Sequence, residues 1–254
     1  AAALGRALTM AAMMGKSFKN AQDYLTVKID GGGPIGQIIV CADGNGNVKG
    51  DVGNPHVETK VKENGHLDVA AAVGVDGQMT VIKDVGLKTP YVGSCNLVSG
   101  EIASDFAYYF ATSEQQPCGV TLGVGLKGGK CNSAGGVFVE VMPNCPEDLL
   151  SQVETVMYAM DEMSYQFCKS TARDVITRFF GQFDLVFTEE CQVRYKCNCG
   201  KRKINRVVKS LGKAEADSIV AELGKVEVCC HFCGKKYVYD QAAIDKLFGG
   251  KKSK

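Results

Sequence analysis

The sequence predicts an α+β protein with a small cysteine-rich module at its C-terminal end. Three observations carry this reading. Apolar side chains alternate with a period of two in several runs between residues 25 and 141, helical spacing replaces that alternation after Pro143, and charge and cysteine spacing both change near residue 191. At 254 residues, with 45% hydrophobic and 22% charged side chains, the chain can bury a sizeable core and differs in composition from disordered, collagenous or coiled-coil proteins. No apolar run reaches the about 18–20 residues of a membrane helix, so no membrane partner is expected. The opening AAALGRALTMAAMMGK lacks a basic lead and carries Arg6 inside its apolar run. It reads as a helix and not a signal peptide, which places the expected location in the cytoplasm.

Leu4, Leu8, Ala11, Ala12 and Gly15 set a helix over 1–16, and its small residues invite a close neighbour. Leu25, Val27 and Ile29 then alternate with polar residues, Ile38 to Cys41 forms a second run, and Val48 to Val52 follows the turn cluster Asp43 to Gly46. Together these predict a meander of antiparallel strands. A further strand pair is expected around Asp76 and Gly77, with Val69 to Val75 before the turn and Met79 to Ile82 after it. Val120, Leu122, Val124 and Leu126 alternate ahead of a last strand at Val137 to Val141. Between these runs Ile102, Phe106, Tyr109 and Phe110 share one helical face, with Ser99 placed as its cap. Residues 1–143 therefore read as a mainly antiparallel sheet domain with helices.

After Pro143 the pattern changes to helices. Pro146, Glu147 and Asp148 suit a first helical turn, and Leu149, Val153, Val156, Met160 and Met163 form one apolar stripe. A second helix starts at Thr171, where Asp174 completes a capping signature; Val175, Ile176, Phe179 and Phe180 line its face and Gly181 ends it. Such faces need a surface to cover, and the sheet domain supplies one. Residues 197–254 form the third segment. Ile204, Val207, Val208 and Leu211 precede Gly212, Ile219 and Leu223 precede Gly224, a strand pair surrounds CCHFCGKKYVYD, and Asp240 caps a final helix ending near Phe248. GGKKSK reads as a frayed tail.

The net charge of +1 hides an imbalance: residues 191–254 hold 15 Lys/Arg against 6 Asp/Glu, so the rest of the chain is acidic. Twelve cysteines are too dilute for a secreted disulfide scaffold, yet numerous for core filler. Cys197, Cys199, Cys230 and Cys233 form C-x-C and a distant C-x-x-C, a donor set of four thiolates suited to a closed tetrahedral Zn²⁺ site, one ion per chain. Gly200 and Gly234 follow the two motifs and suit a positive-φ turn. A bond between Cys197 and Cys199 would close a small strained ring, which marks it as a reducible switch. Lys196, Lys201, Arg202, Lys203, Lys235 and Lys236 crowd the motifs, and part of this charge balances the −2 of a Zn(Cys)₄ centre.

The stretches DGGGPIG at 30–36, YVGSCNLVSGEIASDFAYYFATSEQQP at 91–117, FTEECQVRYKCNCGKRK at 187–203 and VCCHFCGKKYVYD at 228–240 resemble the 33 kDa chaperonin (heat shock protein 33) family. The resemblance covers most of the chain, and the C-x-C with a distant C-x-x-C is its most specific mark. It implies a redox-regulated, ATP-independent holdase of the bacterial cytoplasm, not an enzyme, with one Zn²⁺ on Cys197, Cys199, Cys230 and Cys233 in the reduced state. It also implies that oxidation forms the disulfides 197–199 and 230–233, releases zinc, unfolds the linker over about 144–196, and favours a homodimer. Unfolding client proteins are the implied partners. The sequence departs from the family in two ways: it begins at the first helix without the strand segment expected upstream, and it has eight further cysteines. Among these, Cys229 adjoins Cys230 and Cys191 precedes Cys197 by six positions; the i+3 spacing to Cys233 favours Cys230 as the ligand.

Other signals are weaker. Gly31, Gly33 and Gly36 spell G-x-G-x-x-G, but Pro34 and the strand-like QIIVC follow where a phosphate-binding helix would begin, so a turn is expected. His231 reads as an exposed loop residue, and His56 and His66 have no partner evident in sequence. Cys41, Cys95, Cys118, Cys131, Cys145 and Cys168 read as small core residues. Three functions follow in descending order: an oxidation-activated holdase, with Leu149, Val153, Val156, Phe179 and Phe180 among its candidate client-binding surface; a nucleic-acid-binding zinc module using the basic end; and a thiol oxidoreductase. Nucleic acid is thus not the expected partner.

Overall fold

The structure, a computed structural model, describes residues 1–63, 65–160 and 162–249. It is α+β, and the chain divides into two compact units at Tyr195/Lys196. The first unit opens with α1 (Ala2–Lys16), followed by β1 (Tyr24–Asp30), β2 (Ile38–Asp43), β3 (Asn47–Val52), α2 (Val69–Val73), β4 (Gln78–Asp84) and β5 (Tyr91–Asn96). Then come α3 (Ala103–Tyr109), extended by a π-turn at Phe110–Glu114, and the long strands β6 (Cys118–Lys127) and β7 (Lys130–Glu140). Helices α4 (Glu147–Ala159), α5 (Met163–Lys169) and α6 (Ala172–Phe180) and the short β8 (Arg194–Tyr195) complete the unit.

The main sheet has the order β5-β4-β1-β2-β3-β8, antiparallel except for the parallel β3–β8 pair, and β6 and β7 form a separate ribbon. Helix α1 packs on both, which its glycines permit. A Cβ on Gly5 would stand 2.8 Å from Val124 Cγ2 of the ribbon, and one on Gly15 would stand 2.9 Å from Ala42 Cβ of the sheet. Leu25, Val27, Ile29, Ile38, Val40, Met79 and Val81 alternate into the resulting core against Met10, Phe106 and Tyr109. A second cluster holds Val137 of β7 against Met160, Met163, Val175 and Phe180, so the linker helices cover the ribbon.

Several expectations need correction. The segment Val69 to Val75 is not a strand. Asp68 accepts a hydrogen bond from the Ala71 amide at 3.1 Å, and Val69–Val73 coil into α2. A short, fully apolar run fits a buried helical turn as well as a strand. Gly74 (φ 79°) ends α2, and the amides of Gly33 and Ile35 cap the carbonyls of Val73 and Ala72 at 2.9 and 3.1 Å. The G-x-G-x-x-G segment is thus a turn, whose glycines let two backbones touch. Met79 to Ile82 lies in β4 but pairs with β1 and β5.

Ser99 does not cap α3. The helix starts at Ala103, and the buried carboxylate of Asp105 accepts hydrogen bonds from the amides of Val98, Ser99, Gly100 and Ile102 and from the Ser99 hydroxyl. The expected stripe from Leu149 to Met163 is divided, since α4 ends at Ala159, Glu162 takes a left-handed φ of 50°, and Met163 opens α5. Thr171 and Asp174 form the expected reciprocal cap of α6. Gly181 stops that helix at φ −63°, without a left-handed turn.

The second unit contains α7 (Lys201–Leu211), α8 (Lys213–Leu223), the antiparallel pair β9 (Val226–Cys229) and β10 (Lys236–Tyr239), and α9 (Gln241–Phe248), capped by Asp240. Ile204, Val208, Ala216, Val226, Tyr239 and Ile244 form its core. The GGKKSK tail lies beyond the described residues from position 250 onward. Among the described residues no helix is long and apolar enough to cross a membrane.

Candidate metal centre

Two pieces of backbone bring the four cysteines of the motifs together. Cys197 and Cys199 lie in the extended segment that enters α7, and Cys230 and Cys233 lie in the turn joining β9 to β10. The turn is closed by the Cys230 amide donating to Lys235 O (2.9 Å) and by the Gly234 amide donating to Cys230 O (2.7 Å). Gly234 takes the expected positive φ (67°), whereas Gly200 is extended at φ −157° and needs no special freedom.

The four Sγ atoms all lie within 4.8 Å of one another. Cys197 and Cys230 are 3.6 Å apart, and Cys199 and Cys233 are 3.4 Å apart. Tetrahedral Zn–S bonds of about 2.3 Å place sulfurs about 3.8 Å apart, so spacing and donor set both fit a Cys₄ ion such as Zn²⁺. Cys230 is buried, Cys197 and Cys199 are half-buried and Cys233 is exposed.

The local environment sets the cluster thiols apart, holding Cys199 toward thiolate and Cys197 and Cys233 toward thiol. Burial pushes the Cys197 thiol up to about 12. The Tyr237 hydroxyl, donating to Cys199 Sγ at 3.3 Å, draws the Cys199 thiol down to about 7 and is itself raised to about 12. Helix α7 begins directly after Gly200, so its positive end faces the C-x-C segment. Lys201, Arg202 and Lys203 occupy the first turn of α7, the unfavourable sign for a helix start, a cost that four thiolates on a divalent ion beside them would offset. Lys236 pairs with Glu227 at 2.9 Å, and Lys213 with Asp217 at 2.7 Å, so part of the basic excess is neutralised within the unit.

Cys229, on the outer face of β9, directs its thiol to Gly234 O and stays outside the cluster; it is exposed, as is Cys191. His231 is exposed in the turn, as expected. Of the scattered cysteines Cys41 is buried, while Cys95, Cys118 and Cys145 are half-buried. Cys131 and Cys168 are exposed and do not fill the core: Cys131 sits beside the hairpin turn of the ribbon, and Cys168 of α5 accepts from Asn132 Nδ2 of β7 at 3.7 Å. Burial raises the thiols of Cys95 and Cys118, the latter to about 12. C-x-x-C lies in a strand-to-strand turn and opens no helix, which removes the structural support for a thiol oxidoreductase. Sequence reading missed Tyr237 as a partner of the cluster; its only signal is its place in the strand after the Cys233–Gly234 turn.

Of the segment expected as a linker, α4 is the thinly held part. Among the described residues of α4 none is fully buried, Leu149 is exposed, and Val153, Val156 and Phe179 only edge the cluster around Val175 and Phe180. Between Gly181 and Val193 the chain has no regular structure, and Val186 is 82% exposed.

Comparison with known proteins places these features in a family. The profile of the family described as Hsp33 protein matches residues 1–240. The chain is 41% identical over 248 residues to the 33 kDa chaperonin of Alkaliphilus oremlandii, covering 97% of this chain and 83% of the relative. It is 43% identical over 244 residues to that of Clostridioides difficile, covering 96% and 84%. The crystal structure of the 33 kDa chaperonin (heat shock protein 33 homolog) of Thermotoga maritima superposes with a TM-score of 0.89 at 35% identity, covering 98% of this chain and 84% of that one.

Proposed function

We propose, from the premise that this chain belongs to the Hsp33 family of chaperones, that it is a holdase restrained by a Cys₄ zinc centre and released by oxidation. The family role is chaperone and not enzyme, and unfolding proteins are what a chaperone binds. The observation that carries the finer reading is the convergence of Cys197, Cys199, Cys230 and Cys233 within 4.8 Å. Bound Zn²⁺ would hold these sulfurs as thiolates and tie the segment before α7 to the β9–β10 turn.

Oxidation by a peroxide converts two thiolates, two protons from solvent and one H₂O₂ into a disulfide and two waters. Two such steps consume all four ligands and free the ion. The pairs assigned are 197–199 and 230–233, joined within each motif. The second unit, deprived of its ion, then loses order, and the linker over about 144–196 follows because α4 buries so little. Apolar residues of the linker and ribbon, among them Val153, Val156, Phe179 and Phe180, become available to clients without ATP. A homodimer of the oxidised form and a bacterial cytoplasmic setting complete the proposal.

The test counts zinc and free thiols before and after mild peroxide, maps the disulfides by peptide mass, and follows light scattering from a thermally unfolding enzyme. Loss of one zinc and four thiols, with suppressed scattering by the oxidised form alone, is expected. Retained zinc, or equal scattering with and without the oxidised chain, defeats the proposal.

A further inference from the structure

We infer that the outer edge of β3 is a docking site for extended backbone of unfolding clients and that β8 occupies it in the resting chain. The inference rests on the redox-controlled holdase reading above and adds where, and by what chemistry, a client is held. Strand β3 pairs with β2 from Val48 to Val52 on its inner side. On its outer side β8 pairs with Asn47 and Val48 alone. The Arg194 amide donates to Gly46 O at 3.0 Å, and Arg194 Nε donates to Asn47 Oδ1 at 3.0 Å.

Beyond Val48 the covering strand ends, and a side chain takes its place. The Tyr195 hydroxyl accepts from the Gly50 amide at 3.5 Å and donates to Gly50 O at 3.1 Å. One hydroxyl thereby answers both backbone groups that a neighbouring strand would answer. Because backbone groups alternate sides along a strand, Val48, Gly50 and Val52 turn their amides and carbonyls outward, while Lys49 and Asp51 serve β2. The edge thus has the bonding pattern of a strand awaiting a partner, and the linker's last residues imitate that partner.

The cover is conditional. Two residues of strand gain little against the entropy of ordering them. Tyr195 stands two positions before Cys197, so the folded zinc module is its covalent anchor. When oxidation removes the module's order, the anchor goes and β8 leaves β3. An exposed edge recruits extended chain by backbone hydrogen bonds, which every unfolded polypeptide offers whatever its sequence. The opposite edge, β5, cannot be the regulated one, since among the described residues no strand covers it and oxidation has nothing there to remove.

The experiment is residue-resolved amide hydrogen exchange on the full chain, reduced, oxidised, and oxidised with a thermally unfolding enzyme, scattering being followed in parallel. Expected is at least tenfold faster exchange at Arg194 and Gly50 on oxidation, then at least tenfold slowing at Gly50 and Val52 when client is captured. Val52→Pro, which deletes one outward amide and leaves the β2 bonds in place, should lose zinc normally on oxidation and yet suppress scattering several-fold less. Captured client with unchanged exchange at Gly50 and Val52 overturns the inference and leaves the holdase reading standing. Slowing at both amides before client is added, growing with protein concentration, assigns the edge to a second copy and overturns it as well. An oxidised chain that keeps its zinc and suppresses no scattering defeats both readings, and is recognised without any exchange data. If Val52→Pro fails to fold, the exchange pattern of the unmodified chain decides alone.

Discussion

Adjacent cysteines in this chain have opposite fates, because Cys229 ends β9 with its thiol on Gly234 O while Cys230 opens the turn with its Sγ in the sulfur cluster. Cys230→Ser should abolish stoichiometric zinc binding, while Cys229→Ser should leave one zinc per chain; metal analysis of both purified variants is the check, and zinc loss in Cys229→Ser would reassign the ligand. Two carboxylates of the first unit carry a different kind of prediction. Burial opposes the charge of Glu114, but the Lys83 ammonium at 2.7 Å and the Tyr109 hydroxyl outweigh it and hold the carboxyl below its ordinary range. Burial likewise opposes Glu101, which Lys62 and Arg6 hold low. A folded-state pKa below the unfolded value gives stability that is present above the unfolded pKa, about 4.3 for Glu, and lost as pH falls through the folded value. The thermal midpoint of the first unit should therefore drop below about pH 4, and Glu114→Gln should flatten that drop. Equal pH slopes for the two proteins would show the Glu114 contacts to be without consequence for folding.

Among the helices, α6 is the best defined locally and among the most exposed to test. Thr171 Oγ1 accepts from the Asp174 amide at 3.2 Å, and the Asp174 carboxylate accepts from the Thr171 amide at 3.0 Å. Removing such a cap costs about 1 kcal/mol. Thr171→Ala should thus raise local opening of α6 roughly fivefold in hydrogen exchange and lower the peroxide dose for half-maximal chaperone activity. An unchanged dose would mean that α6 opening does not limit activation. That cap was legible in four residues of sequence, as were α1, the β1–β3 meander, α7 to α9 and the two cysteine motifs, because each is specified locally by period, cap or turn. Other features were set at a distance. Val69 to Val73 coil because Asp68 caps them and the 31–35 loop receives their carbonyls. YVGSCN becomes β5 because Gly93 makes room for Tyr109, whose hydroxyl would stand 2.8 Å from a Cβ there. Tyr237 and Tyr195 find their partners only through strand register, which no spacing in the sequence announces.

At the scale of the whole chain the two units are stabilised by different means. The first has an extended core around α1 and the main sheet. The second, beginning at Lys196, buries little more than Ile204, Val208, Ala216, Val226, Tyr239 and Ile244. A core of that size supplies roughly 3–5 kcal/mol at most, whereas a structural Cys₄ zinc contributes about 10–16 kcal/mol to folding. Zinc on the proposed Cys₄ site would therefore dominate the stability of the second unit and leave the first untouched. Treating the reduced protein with a chelator in the presence of a thiol reductant should open 196–249 to proteolysis and remove its amide protection, while the strands β1 to β4 keep theirs. Re-adding Zn²⁺ should restore both, since no covalent bond has changed. Because no disulfide forms in this experiment, it separates loss of the ion from oxidation. If client protection appears on chelation alone, order in the second unit is the restraint and the disulfides serve only to keep it from refolding. If the second unit stays protected with its zinc removed, its apolar core is sufficient and oxidation must act through some element other than the metal.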